Sequence, residues 1–117
     1  MTTPHDATLP SLGPQALAGL KVIELGQLIA GPFAGKTLAD FGAEVIKIEP
    51  PASGTAAGGD PLRQWRMLHN GLSVWWQFQS RNKKSVVLVL RTPEGRATVR
   101  ELIDQADVVI ENFNPGT

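Results

Sequence analysis

The chain has 117 residues, 42% of them hydrophobic and 19% charged, a globular composition sufficient for one small domain. Eleven basic residues balance eleven acidic ones, so no overall field steers the chain toward nucleic acid or an anionic membrane. The absence of cysteine excludes disulfides, a thiolate nucleophile and a cysteine-based zinc site, in keeping with a reducing cytoplasm.

Residues 1–15 hold Pro4, Pro10 and Pro14 among small polar side chains without periodicity, which predicts a flexible leader, placed at 1–17. His5 within it is expected to be inert. No apolar run approaches the roughly 20 residues of a membrane helix, and the basic-then-apolar order of a signal peptide is missing, so the expected location is cytoplasmic.

Lys21, Val22, Ile23, Glu24 and Leu25 form a β-branched apolar run that Gly26 ends. Pro32 suits a first helical position, Phe33, Ala34, Thr37, Leu38 and Phe41 recur at helical spacing, and Gly42 offers the stop, predicting a helix over 32–41. Val45 to Glu49 reads as a second strand, ended by Pro50 and Pro51. This β-α-β order calls for parallel strands and a right-handed crossover.

Residues 50–71, punctuated by Gly, Pro, Ser, Thr and Asp, predict a long surface excursion. Arg63, Trp65 and Arg66 fit either a binding lid or a short anchoring helix that packs Trp65. Trp75, Trp76 and Phe78 read as core or subunit contact. The near-continuous apolar run from Ser85 to Leu90 predicts a third strand covered on both faces. Thr92 as N-cap, Pro93 as first helical residue and Glu94 in the first turn then open a helix that fades near Gln105, before a fourth strand over 107–111. The whole is α/β, built of two β-α-β units.

Ligands of an open parallel sheet bind beyond the carboxyl ends of its strands, which singles out residues 26–31, Glu49 with Pro50, Leu90 with Arg91, and residues 111–116. The loop before the first helix could bring backbone amides to an anion or could be a tight turn alone; the pattern fits both. Glu49 ends the second strand where a ribose-binding acid of a dinucleotide domain would sit. Yet no G-x-G-x-x-G follows the first strand, and Gly31 precedes Pro32 rather than the Lys of a phosphate loop. His5 and His69 lack metal-ligand spacing. Asp40, Asp60, Asp104 and Asp107 read as solvated carboxylates on a helix surface, in a loop or at a strand edge.

Several stretches in order, among them Leu20-Lys21-Val22-Ile23-Glu24-Leu25, Ala30-Gly31-Pro32-Phe33, Asp40-Phe41-Gly42-Ala43-Glu44-Val45-Ile46-Lys47-Ile48-Glu49-Pro50, Gly59-Asp60-Pro61-Leu62-Arg63, Arg81-Asn82-Lys83-Lys84-Ser85, Arg91-Thr92-Pro93-Glu94-Gly95 and Asp107-Val108-Val109-Ile110-Glu111-Asn112-Phe113, resemble the N-terminal part of the family III CoA-transferases. This is the CaiB/BaiF family, which includes formyl-CoA transferases and α-methylacyl-CoA racemases.

The resemblance implies an incomplete Rossmann-like, CoA-binding large domain over 18–117, within an interlocked homodimer. It implies that Leu28, Leu88, Asn112 and Phe113 line the adenine and ribose side of coenzyme A or an acyl-CoA, with no metal. A catalytic Asp, which takes up the acyl group as a mixed anhydride and then forms an Asp-CoA thioester, is expected downstream of Thr117. The segment alone is not expected to catalyse transfer between acyl-CoA and carboxylic acid substrates. Ile29 stands where formyl-CoA transferases place Gln, with Gln27 two positions earlier, which argues against oxalate or formate chemistry. Val89 replaces a usual Asp, and Asn114 a common Arg that would leave a cation near the CoA phosphates. A racemase-type member, a non-catalytic CoA-binding module and an assembly element remain the alternatives.

Overall fold

Short β-branched runs alternating with helical segments fold here as a parallel sheet with a helix on either face. The computed structural model describes residues 13–117. The readings placed on residues 1–12, including that of His5, lie outside the described residues.

Strand β1 is Lys21–Glu24, helix α1 Ala30–Asp40 and strand β2 Glu44–Glu49. A 3-10 turn over Pro61–Gln64 leads into a small hairpin, β3 Leu68–His69 and β4 Leu72–Ser73, and then helix α2, Val74–Gln79. Strand β5 is Lys83–Val87, helix α3 Pro93–Asp104 and strand β6 Val108–Ile110. The four-stranded sheet has the order β5-β2-β1-β6, and every pairing in it is parallel. Taking its strands by sequence, that is the 3-2-1-4 half of a doubly wound fold.

Strand alternation divides the core in two. Val22 and Val45 face α1, packing with Ala39 and Ala43 beneath Leu38, Leu20 and Leu17. Leu17, assigned by sequence to the leader, also donates its amide to the Phe41 carbonyl at 2.9 Å. Ile23 and Ile48 face α3 and meet Val99, with Leu102 and Ile103 alongside.

Helix α1 starts at Ala30, so Pro32 falls in the first turn instead of at its first position. Amides in that turn have no intrahelical acceptor, so a missing N–H costs nothing there either. Gly42 ends the helix at φ 106°. Helix α3 follows the sequence closely: the Thr92 hydroxyl accepts from the Gly95 amide at 3.1 Å, and Pro93 opens the first turn.

The third strand departs from expectation. It runs from Lys83 to Val87 rather than from Ser85 to Leu90, and it is not covered on both faces, because it is the outer strand of the sheet, with Val87 58% exposed. The apolar run outlasts the strand because Leu88, still bonded through its amide to the Glu49 carbonyl at 3.0 Å and packed on the Ile23–Ile48–Val99 core, is followed by Val89 and Leu90, and all three line a cleft.

The excursion after β2 forms the short helical turn that the anchoring reading expected, Pro61–Gln64. The anchor is Leu62, fully buried, whereas Trp65 caps the turn and meets Trp75 edge-on at 5.8 Å between ring centres. Trp76 is buried under the Arg63 guanidinium, 3.9 Å from its ring centre, while Trp75 and Phe78 remain partly exposed. Asn70 and Gly71, both at positive φ, close the hairpin.

Thr92→Ala removes the cap of α3 and should lower unfolding stability by about 1 kcal/mol. The check is a urea titration in which the midpoint falls while the slope is unchanged.

Candidate functional site: the carboxyl edge of the sheet

The face of the sheet beneath α1 changes character along the strands. Val22 and Val45 are succeeded two residues on by Glu24 and Lys47, and the matching positions on β5 carry Lys83 and Ser85. Charges of this kind stay buried only when paired.

Lys47 Nζ lies 2.7 Å from Glu24 Oε2, 2.8 Å from Asp60 Oδ2 and 2.9 Å from the Gly26 carbonyl. Lys83 Nζ stands 2.6 Å from Glu24 Oε1, close in distance though off the hydrogen-bonding direction, and donates to the Pro32 carbonyl at 2.8 Å. Burial pushes the Lys83 pKa down, against the opposing pull of Glu24. Gly35 gives the Glu24 carboxylate its room: a Cβ there would collide with Glu24 Oε1.

Glu49 forms the second half of the set. Its carboxylate receives two bonds from Arg63, each 2.8 Å, one from the Ser85 hydroxyl at 2.6 Å and one from the Asp60 amide at 2.7 Å. Burial alone would raise its pKa, but these donors outweigh that and hold it down to about 2. All of its oxygens are engaged within the chain, so Glu49 is not a free ribose-binding acid.

Asp60 corrects the sequence reading. It is 2% exposed rather than solvated, because the excursion after β2 folds back over the sheet and lays this carboxylate against Lys47. It accepts from the amides of Leu62 and Leu28, at 2.9 Å and 3.0 Å to Oδ1. Asp40, by contrast, sits on the helix surface and pairs with Lys36 at 2.8 Å.

The loop between β1 and α1 is therefore held from below. Leu28 adopts φ 64°, uncommon for a residue with a side chain. Asn112 holds the same loop from the side: its Oδ1 accepts from the Gln27 amide at 2.8 Å and its Nδ2 donates to the Gln27 carbonyl at 3.0 Å. A Cβ at Gly26 would strike Asn112 Oδ1, and one at Gly31 would approach it to 3.0 Å, so the two glycines form the notch that seats Asn112. Gln79 Nε2 donates to the Ile29 carbonyl at 3.2 Å, at the start of α1.

Above this frame lie two adjoining hollows. The first, about 500 Å³, opens at the ends of β2 and β5 between Leu25, Ile48, Pro50, Leu88, Arg91 and Phe113. The second, about 530 Å³, lies against the start of α1, between Leu28, Ile29, Ala30, Asn112, Phe113 and Asn114. Gln27 and Phe113 border both.

The structure thus gathers the sequence-predicted residues on one edge. Leu88 belongs to the first hollow, Leu28 and Asn112 to the second, and Phe113 stands between them. Glu24, Lys47 and Lys83 escaped the sequence reading as members of a buried set. Their signal was alternation: Glu24 in β1, Lys47 and Glu49 in β2 and Lys83 in β5 fall at every second position on one face, a pattern ordinarily read as solvated.

A sequence model of CoA-transferase family III matches residues 17–117. The chain is 52% identical over 105 residues to a succinyl-CoA–D-citramalate CoA-transferase of Chloroflexus aurantiacus, a match covering 89% of this chain and 25% of the relative. It is 48% identical over 99 residues to a succinate–glutarate CoA-transferase of Agrobacterium fabrum, covering 83% and 25% respectively. A crystal structure of a CaiB/BaiF family protein from Brucella suis superposes with a TM-score of 0.77 at 42% identity, over 89% of this chain and 27% of that one. The chain belongs to CoA-transferase family III. It spans about a quarter of the length of these relatives.

The depressed pKa of Glu49 has a definite sign. Its contribution is fully present above the ordinary value of 4.5 and is lost as the pH falls toward about 2. Stability measured by denaturant titration should decline across that window, and Glu49→Gln should flatten the decline while lowering stability at neutral pH by a few kcal/mol, on the order expected for breaking a buried pair.

Proposed function

We propose that this chain forms the coenzyme A wall of an acyl-CoA:carboxylate CoA-transferase. The observation that carries the reading is the apolar cleft at the carboxyl edge of the sheet, whose lining includes both Leu88 and Phe113. Its volume suits a purine nucleoside, and its place is where open parallel sheets hold nucleotides.

In this reading Leu88 and Phe113 take the adenine between them, and Leu28 with Asn112 borders the adjoining hollow, through which the rest of an extended CoA would run. Arg91, at the rim of the first hollow, is a cation available to its phosphates. Asn112 would act mainly by fixing the loop, since its amide already bonds the Gln27 backbone on both sides.

The chemistry would be supplied by an Asp outside these 117 residues. Its carboxylate attacks the acyl-CoA carbonyl and expels the CoA thiolate, leaving a mixed anhydride. The thiolate returns to the Asp carbonyl, forming an Asp-CoA thioester and releasing the donor acid, and the acceptor carboxylate then repeats the exchange in reverse. This route uses carboxylates and a thiolate alone and calls for no metal. We further propose that the working form is an interlocked homodimer in the cytoplasm, with the domain over 18–117 completed by further sequence. A racemase-type member would bind the same nucleotide on the same edge, but relatives named for handing CoA from succinyl-CoA to a second acid favour transfer.

Isothermal titration with CoA tests the reading. Binding is expected, and Phe113→Ala should weaken it on the order of tenfold, the scale of a lost base–aromatic stack. A wild-type protein that fails to bind CoA, or a Phe113→Ala variant that binds equally well, would retire it.

A further inference from the structure

The loop that starts the second hollow holds Leu28 in a left-handed conformation that side chains disfavour, so something must hold it there. One atom group does so from beneath: the Asp60 carboxylate accepts the Leu28 amide at 3.0 Å and 3.3 Å through its two oxygens. Asp60 is 32 residues away in sequence, so this is no local turn but a contact made only when the excursion after β2 folds over the sheet.

The carboxylate is itself fixed. Lys47 Nζ pairs with Asp60 at 2.8 Å and with the Gly26 carbonyl at 2.9 Å, so one buried ammonium grips the loop at Gly26 directly and at Leu28 through Asp60. Glu24, at 2.7 Å, keeps that ammonium in place. We infer that Asp60, clamped by Lys47, is a positioning residue that presets the left-handed turn at Leu28 and with it the shape of the ligand-facing loop.

The inference rests on the CoA-binding reading of the same edge and adds what prepares that edge before a ligand arrives. Without the clamp, Leu28 would spend most of its time with negative φ, and the apparent affinity would fall by the fraction of molecules still in the competent shape. Asp60 also caps the 3-10 turn through the Leu62 amide at 2.9 Å, so a merely structural role is the rival account.

Two readouts on Asp60→Ala, which removes the Oδ1 acceptor that Asn would retain, separate these accounts. Hydrogen exchange of the Leu28 amide in the unliganded protein should accelerate at least tenfold while the cooperative melt is retained, and CoA titration should show weakening on the order of tenfold. In a Leu28→Gly background, where positive φ carries no steric penalty, the same Asp60 change should weaken CoA binding less than threefold. Unchanged Leu28 exchange, unchanged CoA affinity despite faster exchange, or an equal loss in the glycine background would each overturn the inference.

Should Asp60→Ala lose its cooperative melt, Asp60→Ser carries the same readouts, because its hydroxyl still caps Leu62 but is too short to hold Leu28 as well. If neither variant folds, Asp60 is a structural residue and the inference fails. If the wild-type protein does not bind CoA, the CoA reading fails by itself, and accelerated Leu28 exchange in the variant still reports on the clamp.

Discussion

A single buried ammonium organises this molecule. Lys47 sits mid-strand between Ile46 and Ile48, side chain 2% exposed, and is neutralised by one carboxylate from the neighbouring strand and one from the excursion that folds over the sheet. Removing such a group from water is costly, and that cost is offset only when every partner is in place. The set is balanced, with Lys47, Lys83 and Arg63 facing Glu24, Asp60 and Glu49, and it links β1, β2, β5, α1 and the 3-10 turn. Its main effect is on register. A slip of one residue along β2 would turn Lys47 toward Ile23 and Val99 on the opposite face, an unpaired charge in an apolar core. Hydrophobic burial alone would tolerate many pairings of these short strands; the ion set tolerates one.

Much of the architecture is legible in the residues because local signals agree with tertiary placement. The Thr92–Pro93–Glu94 start of α3, the Gly42 stop of α1 and the β-branched runs of β1 and β2 each carry their own physical reason, and each lands within a residue or two of its place. The family motifs also single out Leu28, Leu88, Asn112 and Phe113, which the structure gathers at the carboxyl edge. What stays hidden depends on non-local folding. Asp60 looks solvated because nothing nearby in sequence says that the stretch around it folds back onto Lys47 and Glu49. The third strand reads as central because apolar character alone does not distinguish strand core from the apolar lining of a cleft, and Leu88 to Leu90 belong to the latter.

The two hollows of the carboxyl edge share a frame of unusual economy. Gln27 and Phe113 border both, and Asn112 ties them together by bonding the Gln27 backbone in both directions. Gly26 and Gly31 matter here for what they lack, since a side chain at Gly26 would strike Asn112 and one at Gly31 would crowd it. Polar groups at this edge are largely committed to shaping the loop, which leaves apolar surface and backbone to meet a ligand, the usual balance of a preformed small-molecule site.

The Gln27–Asn112 pair closes a span of 85 residues. Contacts of such sequence separation form late, after the entropy of closing a long loop has been overcome, and they slow the folding of parallel sheets. During synthesis the first half of the carboxyl edge emerges long before the second, and the hollow against α1 stays open on one side until β6 has docked beside β1. A ligand seated there would bridge segments 85 residues apart, so its binding energy would act as a fastener between the β1 and β6 ends of this edge.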